Sequence, residues 1–286
     1  MADRISTLGV PPSHLRHLQR ASFRQLAAMS VSVTLTVAIA MLCALTWTVH
    51  AQDRRYAVPR TSYGQPDLEG IWQALNTAAW DIEDHSARWG IPAGQGVVEG
   101  GQIPYQPWAL AQKQKNFANR ATADPDTRCF MPGVPRLMYM PFPFEILQGE
   151  NYVAIVSEYI HLQRLIYTDG QPHIQGLNFW LGDPRGKWEG DTLVVDSTGF
   201  NDVTWFDRAG NFHSDALHVV ERFVRTGPDH MLYEATIEDP KVFTRPWKMS
   251  MPLYRRVERN AQLMEFRCVD FVEELLYGHL RKQPDK

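Results

Sequence analysis

From Phe144 onward the chain alternates apolar and polar residues in short runs separated by turn residues. FEILQ and NYVAIVSEY are joined at Gly149-Glu150, and HLQRLIYTD follows, ending at Asp169-Gly170. KWEGDTLVVDST places a turn at Trp188-Glu189-Gly190-Asp191 ahead of a strand over Thr192 to Ser197. ALHVVERFVRT is expected to pair with MLYEATIED across Thr226-Gly227-Pro228-Asp229, and WKMSMPLYRRVE with QLMEFRC across Arg259-Asn260. Period-two runs of strand length at regular spacing predict an all-β antiparallel body with minor helices, a barrel or alternatively a sandwich. Pro252 within a strand marks an edge or a bulge, and DFVEELLYG reads as a short helix over one open end.

The pattern is weaker before Phe144. Residues 52–143 are rich in Pro, Gly, Gln and Asn and read as an extended arm wrapping the body. A short strand is expected at Gly70 to Gln73, and a helix opens at Pro107 in PWALAQKQKNFANR, ending before ATADPDTRC. CFMPGVPRLMYMPFPF holds four prolines among large apolar residues, so it is expected to be extended and buried, not helical. Residues 144–286 form the strand-rich body, with one globular domain over 52–286.

The first 51 residues read as a targeting segment. Arg16, Arg20 and Arg24 precede an uncharged apolar run from Leu26 to Trp47, and Val49-His50-Ala51 fits signal-peptidase cleavage after Ala51. An uncleaved span is the competing reading, since a membrane crossing needs ~20 apolar residues. Cleavage predicts a periplasmic or secreted protein with no membrane attachment. It leaves 25 basic and 31 acidic residues, a net charge of −6 that argues against a nucleic-acid partner. It also leaves two cysteines, Cys129 and Cys268, which in an oxidising compartment are expected to form a disulfide.

The strands do not all divide into wet and dry faces. In ALHVVERFVRT one parity gives Leu217, Val219, Glu221, Phe223 and Arg225, so neither face is wholly apolar. A sheet with one solvated face accounts for this. So does a barrel whose lumen is partly polar and holds a ligand. The connection Gly199–His218, GFNDVTWFDRAGNFHSDALH, is about 18 residues between strands, a length at which structureless loops tend to carry function. Its Asp202, Asp207 and His213 are the candidate catalytic acid–base groups, with Trp205, Phe206 and Phe212 placed to exclude water and raise carboxylate pKa values. Asp-Arg-Ala-Gly-Asn is also good turn chemistry, and a purely structural loop is the competing reading. Tyr159, His161 and Arg164 near one hairpin bend, with Trp205 and His218, are the candidate substrate contacts.

Other chemistries find less support. Seven histidines follow residue 51, without an HExxH or His-x-His spacing, so no metal is expected. A site assembled across strands from His161, His173, His213 and His218 is the less favoured alternative. Ser214 lacks the G-x-S-x-G elbow, and no G-x-G-x-x-G or phosphate-binding loop occurs, so no organic cofactor is expected.

The segments CFMPGVPR, EYIHLQRLIYTDGQPH, GKWEGDTLVVDSTGFND and HSDALHVVERF resemble a family of exported bacterial proteins without an established reaction, over about Pro66 to Cys268. The hairpin pattern is also similar to lipocalin-type barrels, some of which are hydratases, isomerases or cyclases using carboxylates in an apolar cavity. That likeness is architectural and transfers no residues. Three functions follow as expectations. The first is an exported, cofactor-independent enzyme of lyase or isomerase type acting on a small hydrophobic or aromatic molecule. The second is a non-catalytic carrier of such a molecule, and the third a histidine-metal hydrolase or lyase.

Overall fold

Nine strands close a barrel in simple chain order in the computed structural model, which describes residues 56–88 and 91–280. The expected signal segment and its cleavage point lie outside the described residues. The strands are β1 (Gly70–Ala74), β2 (Phe144–Gln148), β3 (Tyr152–Ser157), β4 (Gln163–Tyr167), β5 (Asp183–Glu189), β6 (Thr192–Thr198), β7 (His218–Arg225), β8 (His230–Glu238) and β9 (Trp247–Arg255). Every neighbouring pair is antiparallel except β4 and β5, which run parallel and share one register pair, Tyr167↔Arg185. The architecture is all-β, consistent with a lipocalin-like barrel.

Alternation dictates which side chains enter the lumen. In β8, Met231, Tyr233, Ala235 and Ile237 are buried, and in β7 the buried set is Val219, Glu221, Phe223 and Arg225. Glu221 and Arg225 are the residues that left β7 without an apolar face in the sequence. Glu221 takes two hydrogen bonds from Arg164, at 2.9 and 2.5 Å, and one from Tyr233 Oη at 2.9 Å. Arg164 also reaches Ser197 Oγ at 3.1 Å. The polar part of the lumen thus pairs the Glu221 carboxylate with a cation, as a buried charge requires, while Arg164 Nε is buried without a partner. Around it Trp72, Phe144 and Phe223 are fully buried, so side chains occupy the interior of this small barrel.

Three expectations need correction. QLMEFRC does not pair with β9: that strand pairs with β8 on one side and through Leu253–Arg255 with β1 on the other. The five residues of β1 close the barrel, and the chain after β9 becomes an arm with one short helix, α2 (Val272–Tyr277). Pro252 lies just beyond the last β1 pair, Ala74↔Leu253, where its missing N–H costs no ladder bond on that side. The segment CFMPGVPRLMYMPFPF is buried as expected, with Val134 and Leu137 to Met140 in the core, but it is not wholly extended. Arg136–Tyr139 forms a 3₁₀ turn. Helix α1 (Pro107–Ala123) starts at the expected proline and runs on through Ala121, Thr122 and Ala123 to a hydrogen bond from Asp124 N–H to Arg120 C=O.

Candidate functional site

The loop Gly199–His218 is built mainly into the core and does not gather its acids round a common space. Trp205 and Phe212 pair as a short antiparallel bridge, and the chain reverses over Asp207–Gly210, the turn expected from its composition. Asp207 is fully buried. Its carboxylate accepts from Ile82 N–H at 2.9 Å, Asn211 Nδ2 at 2.6 Å and Asn211 N–H at 3.2 Å. Burial, then the nearby charge of Asp81, pushes the Asp207 pKa up to about 7, and burial likewise raises that of Asp81. Tyr105 donates to Asn211 Oδ1 at 2.9 Å, completing a network that ties the loop to the N-terminal arm.

His213 belongs to a different pocket of the core. Its Nδ1 donates to Ser214 C=O at 2.9 Å, and its Nε2 lies 2.7 Å from Thr204 Oγ1, which leaves the Nε2 lone pair for the threonine proton. Burial lowers its pKa and keeps it neutral. Asp202 is exposed, and Trp205 is buried beside the loop's own turn. Asp207, His213 and Asp202 are therefore separated by environment, and none of the three lines the cavity described below.

His218 stands on the outer surface of β7, where its Nε2 lies 3.1 Å from Asp196 Oδ1. His173 Nε2 lies 3.1 Å from the same oxygen, and its Nδ1 is 3.1 Å from Asp183 Oδ2. These two histidines of the proposed four-histidine metal site do meet, but His161 is exposed elsewhere and His213 is enclosed. Among the described residues no group of three or more His, Cys, Asp or Glu side chains is arranged to hold a metal ion. Arg164, expected to touch substrate, is committed to Glu221 in the lumen.

Tyr159 is the sequence candidate that reaches an aromatic-lined cavity. A space of about 200 Å³ lies between the Tyr159 turn, the Arg136 segment and the C-terminal arm. Phe142, Tyr159 and Phe266 form its aromatic wall, with ring centroids 4.4 to 5.4 Å apart. Trp80, Met140 and Phe271 complete the apolar lining, and Asp126, Thr127, Arg136, Arg208 and Glu274 supply the polar part. An apolar pocket with a few convergent polar groups is the usual form of a small-molecule site. The disulfide between Cys129 and Cys268 ties the arm down at its edge, as does the bond from Phe271 N–H to Thr127 C=O at 2.6 Å.

The polar groups form a directed chain. Arg136 donates to both oxygens of Asp124 at 2.8 and 2.9 Å, and it lies 3.7 Å from Asp126 Oδ2. Burial opposes the Arg136 charge, but Asp124 and then Asp126 outweigh it and keep the guanidinium protonated. Arg136 holds Asp124 through both oxygens and reaches Asp126 only at 3.7 Å, so the Asp126 carboxylate, with 20% of its side chain exposed, faces the cavity. The Tyr159 hydroxyl donates to Asp126 Oδ1. Burial, then Asp126, pushes the Tyr159 pKa far up, so the phenol holds its proton at any physiological pH.

Backbone strain gathers at the same place. Among the described residues the positive-φ non-glycines are Cys129, Ile160, His161 and Phe271, at φ of 57°, 47°, 54° and 53°. Ile160 and His161 follow Tyr159 directly, Phe271 lines the cavity, and Cys129 is bonded to the lining residue Cys268. Such conformations cost ~1–3 kcal/mol each and cluster where a site over-determines its geometry.

Asp124, Asp126 and Arg136 were missed in the sequence. The available signal was Arg136, one charge in an apolar proline-rich segment expected to be buried, because a buried guanidinium demands an acid nearby. No protein-family model matches the chain, and neither curated proteins nor solved structures contain a match.

Proposed function

We propose that the protein is an enzyme that moves a proton on a small apolar or aromatic molecule held under the C-terminal arm. The observation that carries this reading is the Tyr159 hydroxyl bonded to Asp126 inside an aromatic-lined cavity. Asp126 is the base, since Arg136 is already neutralised by Asp124 and the phenol does not ionise. Tyr159 is the donor that holds Asp126 in place and can turn its proton to a substrate oxygen. A proton taken by Asp126 from one substrate atom and returned to another sums to an isomerisation. Taken from carbon and lost with a departing hydroxyl as water, it sums to a dehydration. These are the lyase and isomerase classes expected from the sequence, moved from the Gly199–His218 loop to a different pair of residues. The Cys129–Cys268 disulfide favours action in an oxidising compartment, in keeping with an exported protein.

A carrier is the second reading, favoured by the fact that the Tyr159 hydroxyl and the two terminal nitrogens of Arg136 already have acceptors within the protein. A panel of small aromatic and terpenoid compounds bearing a hydroxyl or carbonyl separates the two. For an enzyme, Tyr159→Phe and Asp126→Asn keep ligand affinity within a few-fold and lower turnover by about 100-fold or more. Ligand binding without conversion by the unmodified protein supports the carrier. Binding and turnover that are unaffected in both variants remove this pocket from the function.

A further inference from the structure

The seam between β4 and β5 is paired at Tyr167↔Arg185 and open beside it, and its chemistry follows from Pro184 and the bend at Gly182. β4 is antiparallel to β3, so alternate residues of β4 turn both backbone groups toward β3. Ser157 N–H donates to Leu162 C=O and Thr168 N–H donates to Asn151 C=O, each at 2.8 Å, which assigns the even-numbered residues to β3. Gln163, Leu165 and Tyr167 therefore direct N–H and C=O to the other side. Tyr167 meets Arg185 there.

The next parallel pair would join Leu165 to Asp183, with residue 184 donating its N–H to Leu165 C=O. Residue 184 is proline and has no N–H to give. The matching bond from Leu165 N–H to Gly182 C=O is absent as well, because the chain bends at Gly182, φ +67°. A cavity of about 340 Å³ opens at this point, lined by Gln163, Leu165, Pro184, Met131, Phe179 and Trp180 among others. The ring of Trp180 is braced by Phe130, with centroids 5.2 Å apart.

We propose that this slot binds a short extended peptide, which adds beside β4 as a strand. The peptide gives an N–H to Leu165 C=O, which Pro184 leaves without a donor, and accepts from Leu165 N–H, which the bend at Gly182 leaves without an acceptor. An apolar side chain rests against Trp180 and Met131. Only Gln163 and Leu165 face the slot, so two or three peptide residues fill it. This is strand addition at an exposed sheet edge, in which main-chain bonds give affinity and a side-chain pocket gives preference. The site is separate from the Tyr159 cavity and does not depend on the activity proposed for it.

The test uses acetyl-Leu-Val-Leu-methylamide, and its depsipeptide analogues in which an ester oxygen replaces one N–H, titrated into the full disulfide-bonded protein by calorimetry or NMR. The peptide is expected to bind, with the ester at one position about tenfold weaker because one main-chain bond is lost. Trp180→Ala weakens binding through the side-chain pocket. Pro184→Ala restores the missing N–H, extends the β4–β5 ladder and lowers affinity, and the amide gained at position 184 is protected from hydrogen exchange. Absence of peptide binding at millimolar concentration overturns the proposal, as does equal affinity for every ester analogue. Peptide affinity unchanged in both Trp180→Ala and Pro184→Ala places any binding elsewhere and overturns it too.

Discussion

Arg136 grips Asp124 through two parallel hydrogen bonds of 2.8 and 2.9 Å, with 2% and 0% of the two side chains exposed. The pair joins the end of α1 to the buried 3₁₀ turn and sets the back wall of the Tyr159 cavity. Two charges taken from water do not stabilise a fold merely by meeting, because desolvation offsets their attraction. Removing one of them is a different matter. Arg136→Met leaves the buried Asp124 charge unpaired, with an expected loss of about 3–5 kcal/mol in denaturant unfolding, whereas Asp124→Asn leaves Arg136 with Asp126 at 3.7 Å and is expected to cost less. The double substitution is expected to lose less than the sum, and a double-mutant cycle measures the difference.

The turn of the Gly199–His218 loop packs on α1 so closely that it has no room for a side chain. A Cβ placed on Gly210, φ +85°, would lie 2.7 Å from Asn116 Cβ and 2.8 Å from Phe117 N. Asn116 Nδ2 also donates to Gly210 C=O at 3.2 Å. Gly210→Ala therefore combines left-handed backbone strain with a clash against helix backbone, and a loss of more than about 2 kcal/mol is expected. Gly190→Ala, at φ +61° with open space around it, isolates the strain alone and should cost about 1 kcal/mol. The difference between the two measures how firmly the loop is seated.

Asp207 makes stability depend on pH in a direction opposite to that of an ion-paired carboxylate. Its folded pKa, pushed up by burial and then by Asp81, is about 7 against a usual 3.8. The folded state therefore binds the proton more tightly than the unfolded chain. This contribution to stability is fully present below about pH 4 and is lost as pH rises toward 7, with a slope of at most ~1.4 kcal/mol per pH unit. His213, with its pKa lowered by burial, acts in the other sense and loses stability as pH falls below its usual 6.5. Asp207→Asn removes the first slope and leaves the second. Unfolding free energies measured from pH 4 to 8 should then rise with pH relative to the unmodified protein. The same slope in both proteins would mean that Asp207 is ionised throughout.

How far such features could be read from the chain depended on the range of the interaction. β6, β7 and β8 were legible within a residue or two at each end because side-chain alternation is local, and the turns at Gly190 and Thr226–Asp229 carry their own chemistry. QLMEFRC alternates too, yet β9 is claimed by β1, a strand of five residues from the other end of the described chain, and local pattern contains no information about that competition. The loop acids were visible as acids. Their partners, a backbone N–H of Ile82 and the side chain of Asn211, are set by packing, so Asp207 could equally have faced a substrate. Tyr159 was found from its place near a bend. Asp126, which gives it a chemical role, sits in ATADPDTRC, a segment that reads as ordinary turn sequence.

The disulfide decides how the C-terminal arm relates to the rest of the molecule. Cys129 and Cys268 are 139 residues apart, and a closed loop of that length is worth ~5 kcal/mol in the chain-entropy model. Among the described residues the arm has no strand partners, and Met264, Val269, Leu275 and Leu276 on it are exposed, so few apolar contacts would replace the bond. The contacts that remain include Phe266 against Phe142 and Tyr159, Arg128 over the Phe271 ring, and the hydrogen bonds from Phe271 N–H to Thr127 C=O and from Met264 N–H to Glu158. The barrel, by contrast, closes through β1 and β9 without the arm. Replacing both cysteines by serine is therefore expected to do two separable things. Global stability falls by up to ~5 kcal/mol as the unfolded chain gains freedom. In the native state, hydrogen exchange should quicken over residues 262–280 while β7 and β8 keep their protection, because local opening there needs no barrel strand to separate. Faster exchange in β7 and β8 to the same extent as in the arm would mean that the arm is part of the barrel's cooperative unit, and that the Tyr159 cavity cannot open without unfolding.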